Sequence, residues 1–250
     1  MIEVKNVSKY FGDKKVLDNI STQFYEGKVN LVIGRSGSGK TVLMKCLIGL
    51  LYPEEGDILY SGRNFNLLSD DEKKQLRTEM GMVFQGSALF DSMTIQENVM
   101  FPLDMLTDQS FEEKLERVNF CLQRVDLSGS NGLYPAELSG GMKKRAAIAR
   151  GIACQPQYLF CDEPNSGLDP KTSLLIDQLI TEITHDFNMT TIVNTHDLNS
   201  VITTGENINF IYEGELAWVG TKDNILISDN ELLNDFIYAQ PLTQMIRKGL

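Results

Sequence analysis

The sequence has no C-x-x-C pair, no apolar run near the length of a membrane span, and no excess of positive charge. Each absence removes a class of protein. Its four cysteines, Cys46, Cys121, Cys154 and Cys161, stand singly in apolar runs. That argues against a zinc site or a disulfide framework and predicts buried free thiols in a reducing compartment. The N-terminus, Met1-Ile2-Glu3-Val4-Lys5, lacks a signal-peptide layout, and a spanning helix would need about 20 apolar residues. The chain is therefore expected neither to span nor to cross a membrane; if it serves one, another chain supplies the spans. With 23 basic against 34 acidic residues, a net charge of -11, it offers no general basic face to nucleic acid or anionic lipid. Repeats, low-complexity tracts and Gly/Ser linkers are also missing.

What is present is a chain of 250 residues, 42% hydrophobic, long enough to bury about 70–75% of its unfolded surface. Its most informative stretch is Val29-Asn30-Leu31-Val32-Ile33-Gly34-Arg35-Ser36-Gly37-Ser38-Gly39-Lys40-Thr41. An apolar strand leads into a glycine-rich turn, and Val42, Leu43, Cys46 and Leu47 then give an apolar helical face. The spacing G-x-x-x-x-G-K-[ST] reads as a P-loop: backbone N–H groups curl round phosphate oxygens where a Cβ would intrude, and Lys40 faces the β/γ-phosphates. Thr41 can give its hydroxyl to Mg²⁺, and the helix aims a positive end, about half a unit charge, at the phosphates. The predicted ligand is a nucleoside triphosphate.

Along the chain, residues 2–7 and 16–24 alternate as strands, with Tyr10-Phe11-Gly12 expected in the turn between them. A strand near 56–62 follows the P-loop helix, then a capping box at Ser69–Glu72 opens a polar helix to about Arg77, and Met80–Phe84 forms a buried strand ending at Gln85. From Gly86 helical patterns prevail for about seventy residues, with further capping boxes at Thr94–Glu97 and Ser110–Glu113. Met93, Met100, Phe101 and Met105 read as core packing, with a pliable partner surface as the sharper option. Leu138-Ser139-Gly140-Gly141-Met142 opens a helix bearing Lys143, Lys144, Arg145 and Arg150. Alone, Ser139 is an N-cap and the basic cluster a solvated face. Tyr158–Cys161 is an apolar strand ending in Asp162-Glu163, two acids expensive to desolvate without a cation, for which Mg²⁺ is the natural candidate. Strand and helix then alternate through Thr190–Thr195 and His196-Asp197, as in a parallel sheet, and a hairpin turns at Glu213-Gly214. His185 reads as a structural histidine.

The order of these motifs is more telling than any one of them: P-loop, Gln85 after a strand, Leu138-Ser139-Gly140-Gly141, Asp162-Glu163, Ser166-Gly167-Leu168-Asp169, His196. Over about residues 2–220 the chain resembles the ATP-binding cassette ATPases of ABC transporters. The resemblance implies an α/β P-loop (RecA-like) core with an N-terminal antiparallel β-subdomain and an inserted α-helical subdomain. It would divide the chain into a nucleotide-binding core of residues 1–85 plus 155–220, a helical signature subdomain of 86–154 and a C-terminal helical extension of 221–250. The implied cofactors are ATP and Mg²⁺. Gly34, Arg35, Ser36, Gly37, Ser38, Gly39, Lys40, Thr41 and Val42 would hold the triphosphate, with Phe11, or failing that Tyr10, stacked on adenine. Thr41, Gln85 and Asp162 would serve the metal, Glu163 would polarise the attacking water, and His196 would sense the γ-phosphate. Cassettes of this kind act as head-to-tail homodimers, so Ser139, Gly140 and Gly141 of one copy would complete the other copy's site, with Asp169 at the interface.

Phe84–Thr94, Glu97-Asn98-Val99, Phe101-Pro102-Leu103 and Met142 are similar to the ATPases of Mce/Mla-type lipid-transport systems. That implies an ATPase peripheral to the cytoplasmic side of the inner membrane, powering movement of phospholipid or another hydrophobic molecule across the bacterial envelope. The partners would be transmembrane permease subunits near residues 86–105, an Mce-domain lipid-binding protein and a small regulatory subunit, with no nucleic acid. Asn165, where Thr is common, and the order Gly86-Ser87 depart from the pattern without touching the chemistry. The alternatives are a cassette for another solute, lipoprotein release or cell division, and, less favoured, a non-transport cassette for iron–sulfur assembly, DNA or the ribosome. Against the last stand a single P-loop and no sustained heptads between Lys40 and Ser139.

Overall fold

The computed structural model describes residues 1–238. The chain forms two compact units, residues 1–68 with 192 onward, and residues 69–191.

In the first unit, β1 (Ile2–Phe11), β2 (Lys14–Phe24), β4 (Glu55–Tyr60) and the two-residue β5 (Arg63–Asn64) form an antiparallel sheet in the order β2-β1-β4-β5. Alternation explains its buried face: Ile2, Val4, Ile20 and Phe24 point inward while their polar neighbours face water. Tyr10 and Phe11 are not in a turn as the sequence suggested. The strand continues to Phe11, which pairs with Lys14, because Gly12 in left-handed geometry (φ 59°) permits a two-residue turn with Asp13. The same unit holds β3 (Lys28–Ile33), which pairs in parallel with β9 (Asn207–Tyr212), and β9 turns back at Glu213-Gly214 into antiparallel β10 (Glu215–Gly220). Five of the six residues of β3 are buried. Among them Asn30 is tied into place: its Oδ1 accepts from the Tyr25 N–H and from Asn207 Nδ2, and its own amide donates to the Tyr25 and Lys28 carbonyls. Helices α1 (Lys40–Leu47), α7 (Leu198–Thr204) and α8 (Glu231–Ile237) complete the unit, α8 burying Leu233 and Ile237. Of the expected helical extension, residues 221–238 contain a 3₁₀ turn at Ile225–Ile227 and α8, and residues 239–250 lie outside the described part.

In the second unit, parallel strands β6 (Met80–Val83) and β7 (Tyr158–Asp162) accompany α2 (Asp70–Thr78), α3 (Ile95–Leu106), α4 (Phe111–Arg124), α5 (Gly140–Gly151) and α6 (Pro170–Asp186). The capping boxes read from sequence all form: Ser69, Thr94 and Ser110 accept from the amides of Glu72, Glu97 and Glu113, whose carboxylates reach back to the cap N–H. Those reciprocal bonds hold each glutamate carboxyl below its ordinary range. Met100 is buried, as core packing requires, whereas Met105 is 65% exposed. Cys46, Cys121 and Cys161 are buried free thiols and Cys154 is half-buried.

Candidate active site

The P-loop sits where the sequence places it, between β3 and α1. Gly34 adopts φ 150°, and a Cβ there would lie 2.2 Å from the Ile211 carbonyl oxygen and 2.7 Å from Ser38 Oγ. At Gly39 (φ 109°) it would strike the Leu17 side chain at 2.8 Å. Lys40 is buried and its Nζ donates to the carbonyls of Gly34 (2.9 Å) and Arg35 (3.0 Å), drawing the loop round its own ammonium. Ser38 Oγ is buried without a hydrogen-bond partner. Unlike α2, α3 and α4, helix α1 has no side-chain cap and no acid in its first turn. A loop closed to Cβ atoms, an orphaned buried hydroxyl, a buried ammonium and an uncapped positive helix end together suit a polyphosphate. Arg35, Ser36, Gly37 and Thr41 are exposed around it and Val42 half-exposed. In the same unit His196 is exposed directly after β8 (Thr190–Thr195), and Phe11 is 49% exposed with Lys9 Nζ 5.5 Å from its ring centre.

The second unit gathers the remaining candidates into two groups. Asp162 ends β7 half-buried, and Glu163 follows in left-handed geometry (φ 48°), its carbonyl accepting from the Ser166 N–H at 3.1 Å. Exposed Gln85 reaches the same turn, Nε2 donating to Ser166 Oγ at 3.2 Å. Ser139 caps α5, its Oγ accepting from Met142 N–H at 3.3 Å. With Gly140 and Gly141 it lines a cavity of about 500 Å³ shared with Gly167, Leu168 and Asp169. Asp169 caps α6: bonds from the Thr172 hydroxyl and amide hold its carboxyl below the usual range.

The basic cluster on α5 is not a solvated face. Lys144 is 5% exposed and donates to the Gln85 carbonyl. Arg150 donates to the carbonyls of Ser87 (2.8 Å) and Ala88 (2.6 Å), and Arg145 to those of Val125 and Asp126. Burial pushes the Lys144 ammonium and the Arg150 guanidinium down, the Glu163 carboxylate opposing this at Lys144. The available signal was helical spacing: Lys144 shares a stripe with buried Ala147, Ile148 and Gly151. Asn98, fully buried, was likewise missed as an organiser of the loop after Gln85.

Among the described residues no three carboxylate, imidazole or thiol groups cluster as a metal cage. The Thr41 hydroxyl of the first unit and the Asp162 carboxylate of the second, each taken by itself, are oxygen donors of the kind Mg²⁺ accepts, an ion that keeps waters and is carried largely by nucleotide phosphates.

These features define a P-loop nucleotide-binding ATPase. The family model described as "ABC transporter" matches residues 17–166. A probable ribonucleotide transport ATP-binding protein, mkl, of Mycobacterium leprae is 38% identical over 94% of this chain and 68% of its own length. The intermembrane phospholipid transport system ATP-binding protein MlaF of Haemophilus influenzae is 37% identical over 96% and 91%, and the methionine import ATP-binding protein MetN of Clostridium tetani 40% over 93% and 73%. Among solved structures, the dimeric cassette MJ0796 in a post-hydrolysis state with ADP and phosphate superposes with TM-score 0.79 at 33% identity, covering 89% of this chain and 99% of that one. CbiO1 of Clostridium perfringens, part of the transporter complex cbiONQ, gives 0.84 at 26%, covering 98% of each. The chain belongs to the ABC transporter family of ATP-binding cassettes. It is an ABC transporter's ATP-binding subunit, hydrolysing ATP with Mg²⁺ to drive transport; cassettes of this family dimerise and pair with transmembrane permease subunits. Among its described residues, no helix is long and apolar enough to cross a membrane.

Proposed function

We propose that this cassette powers transport of phospholipid or a similar hydrophobic molecule across a bacterial envelope, from the cytoplasmic side of the inner membrane. The similarity to the Haemophilus phospholipid-transport protein along nearly its whole length carries this reading. The second unit adds support: an apolar groove of about 380 Å³, lined by Met80, Met82, Phe84, Phe90, Phe101 and Leu106, opens beside the segment after Gln85. It borders residues 86–105, the seat assigned to a permease helix in the helical signature subdomain of residues 86–154. The core of 1–85 plus 155–220 handles nucleotide. The extension from 221 is assigned to cassette pairing or to a small regulatory subunit, and an Mce-domain protein completes the assembly.

In the reaction, residues Gly34–Val42 bind and orient the triphosphate, Lys40 turning from the loop carbonyls to the phosphates, and Phe11 stacks on adenine. Mg²⁺, when bound, neutralises phosphate charge, with Thr41, Asp162 and Gln85 as its protein-side donors. Glu163 accepts a hydrogen bond from the attacking water and orients it in line with the leaving ADP. His196 donates to the γ-phosphate. Ser139, Gly140 and Gly141 present the α5 N-terminus, free of acids in its first turn, to the triphosphate of a second copy, and Asp169 packs at that junction.

Purification of the tagged full-length chain from detergent-solubilised membranes tests the assignment. A multispanning permease together with an Mce-domain protein and bound phospholipid is the expected result. A purely soluble partner set refutes it. The identity to the methionine importer supports a second reading, import of a small polar solute, and a permease with an amino-acid-binding protein would select it.

A further inference from the structure

Lys144 is a buried ammonium that the reaction above does not use. It projects from the second turn of α5, the helix that Ser139 opens, and is 5% exposed. Its Nζ donates to the main-chain carbonyl of Gln85, while the Gln85 side chain donates to Ser166 Oγ and the Ser166 amide to the carbonyl of Glu163. Lys144 also lies within electrostatic reach of Glu163. Six residues further along α5, Arg150 holds the carbonyls of Ser87 and Ala88, both in left-handed geometry (φ 64° and 48°) that costs about 1 kcal/mol or more per residue for side chains other than glycine. Two cations of one helix thus secure the backbone from Gln85 to Ala88.

We propose that Lys144 is a positioning residue for ATP hydrolysis, fixing Gln85 and, through Ser166, the turn that carries Glu163 to the helix that Ser139 opens. The proposal rests on the roles given above to Gln85 and Glu163. Its physical basis is desolvation. A lysine this deep keeps its charge only by bonding to oxygen acceptors, so the Gln85 carbonyl cannot move away from α5 without stranding the ammonium. Arginine can reach the same carbonyl; methionine fills the volume and leaves the carbonyl unheld.

The test is steady-state ATPase kinetics of the purified full-length chain carrying Lys144→Met, Lys144→Arg or Lys144→Gln, each in the wild-type and the Gln85→Ala background, with thermal melting as a control. Lys144→Met is expected to lower kcat by about 10–100-fold, the scale of a sub-ångström to ångström misplacement of reacting groups, with KM for ATP within about twofold. Lys144→Arg should recover most of that loss. Lys144→Gln, which keeps a donor without the charge, should fall between them, and it serves if methionine unfolds the helix. In the Gln85→Ala background the Lys144→Met loss should shrink to less than about threefold, because the group being positioned is gone. An equal loss in both backgrounds, a matching rise in KM, or a kcat within threefold of wild type would overturn the proposal and leave the roles of Gln85 and Glu163 standing. A Gln85→Ala single variant with unchanged kcat would instead overturn those roles and this inference together.

Discussion

Asn98 offers the sharpest energetic test of how the segment after Gln85 keeps its shape. It lies in the first turns of α3, fully buried, and faces back toward residues 90–94. Its Oδ1 accepts from the Phe90 N–H at 2.8 Å, and its Nδ2 donates to the carbonyls of Phe90 (3.1 Å), Met93 (3.1 Å) and Thr94 (3.0 Å). Two hydrogens serve those three acceptors, so one is shared, and the side chain makes the equivalent of three full bonds. At about 1 kcal/mol net per bond, Asn98→Ala should destabilise the unit by about 3 kcal/mol. Asn98→Asp should cost no less: it keeps the acceptor for Phe90 but turns a carboxylate toward three carbonyl oxygens. Urea unfolding followed by the second unit's own signals measures the loss, and hydrogen exchange localises it, since the Phe90 amide should lose its protection in Asn98→Ala. A change below 1 kcal/mol, or an unchanged Phe90 exchange rate, would refute the claim that this one amide organises the loop. Phe90 also packs on Phe101, ring centres 4.8 Å apart, in the apolar groove, so the same variant should weaken permease association.

Ser139→Ala should lower ATP turnover by about 10²–10³-fold, the range seen when a donor to transition-state charge is removed; a rate within threefold of wild type would sink the role. It also removes the α5 cap, a cost of about 1 kcal/mol, so a melting curve separates stability from catalysis. Glu163→Gln should trap an ATP-bound homodimer visible by size-exclusion chromatography with Mg-ATP, and a strictly monomeric protein in the presence of its permease would count against Glu163. Burial pushes the Cys46 and Cys121 thiols up to about 11 and Cys161 further, so each is neutral below those values and thiolate forms only as pH rises toward them. At pH 7.5 the folded chain should therefore react slowly with a thiol reagent, half-buried Cys154 first; rapid labelling of all four would contradict the packing.

What could be read from the residues alone depended on how local the physics is. The three capping boxes and the turn at Glu213-Gly214 are settled within four residues, and they form as the sequence suggests. One such local rule, a glycine after an aromatic, puts Phe11 in a turn, whereas antiparallel pairing with Lys14 extends the strand to it. The basic residues of α5 failed for the opposite reason. Their partners are main-chain carbonyls of Gln85, Ser87, Ala88, Val125 and Asp126, and a carbonyl has no letter in a sequence. Asn98 is invisible on the same ground, since every group it bonds is backbone.

That distinction also explains why the P-loop was legible. Its helix carries Gly39 at the cap and Val42 at the third position, where α2, α3 and α4 carry Glu72, Glu97 and Glu113. In those three helices the cap hydroxyl accepts from the glutamate's amide, the glutamate carboxylate accepts from the cap amide, and its charge offsets the positive end. At α1 the same positions hold no side chain that accepts a hydrogen bond, and the loop before it excludes any Cβ at Gly34. A glutamate at residue 42 could accept from the Gly39 amide and would set a negative charge at this helix end, against the phosphates the loop is proposed to hold. Valine there leaves the first amides and the helix dipole without a side-chain partner, the arrangement proposed above to serve the nucleotide, and it is written in the sequence by the residues that decline to cap the helix.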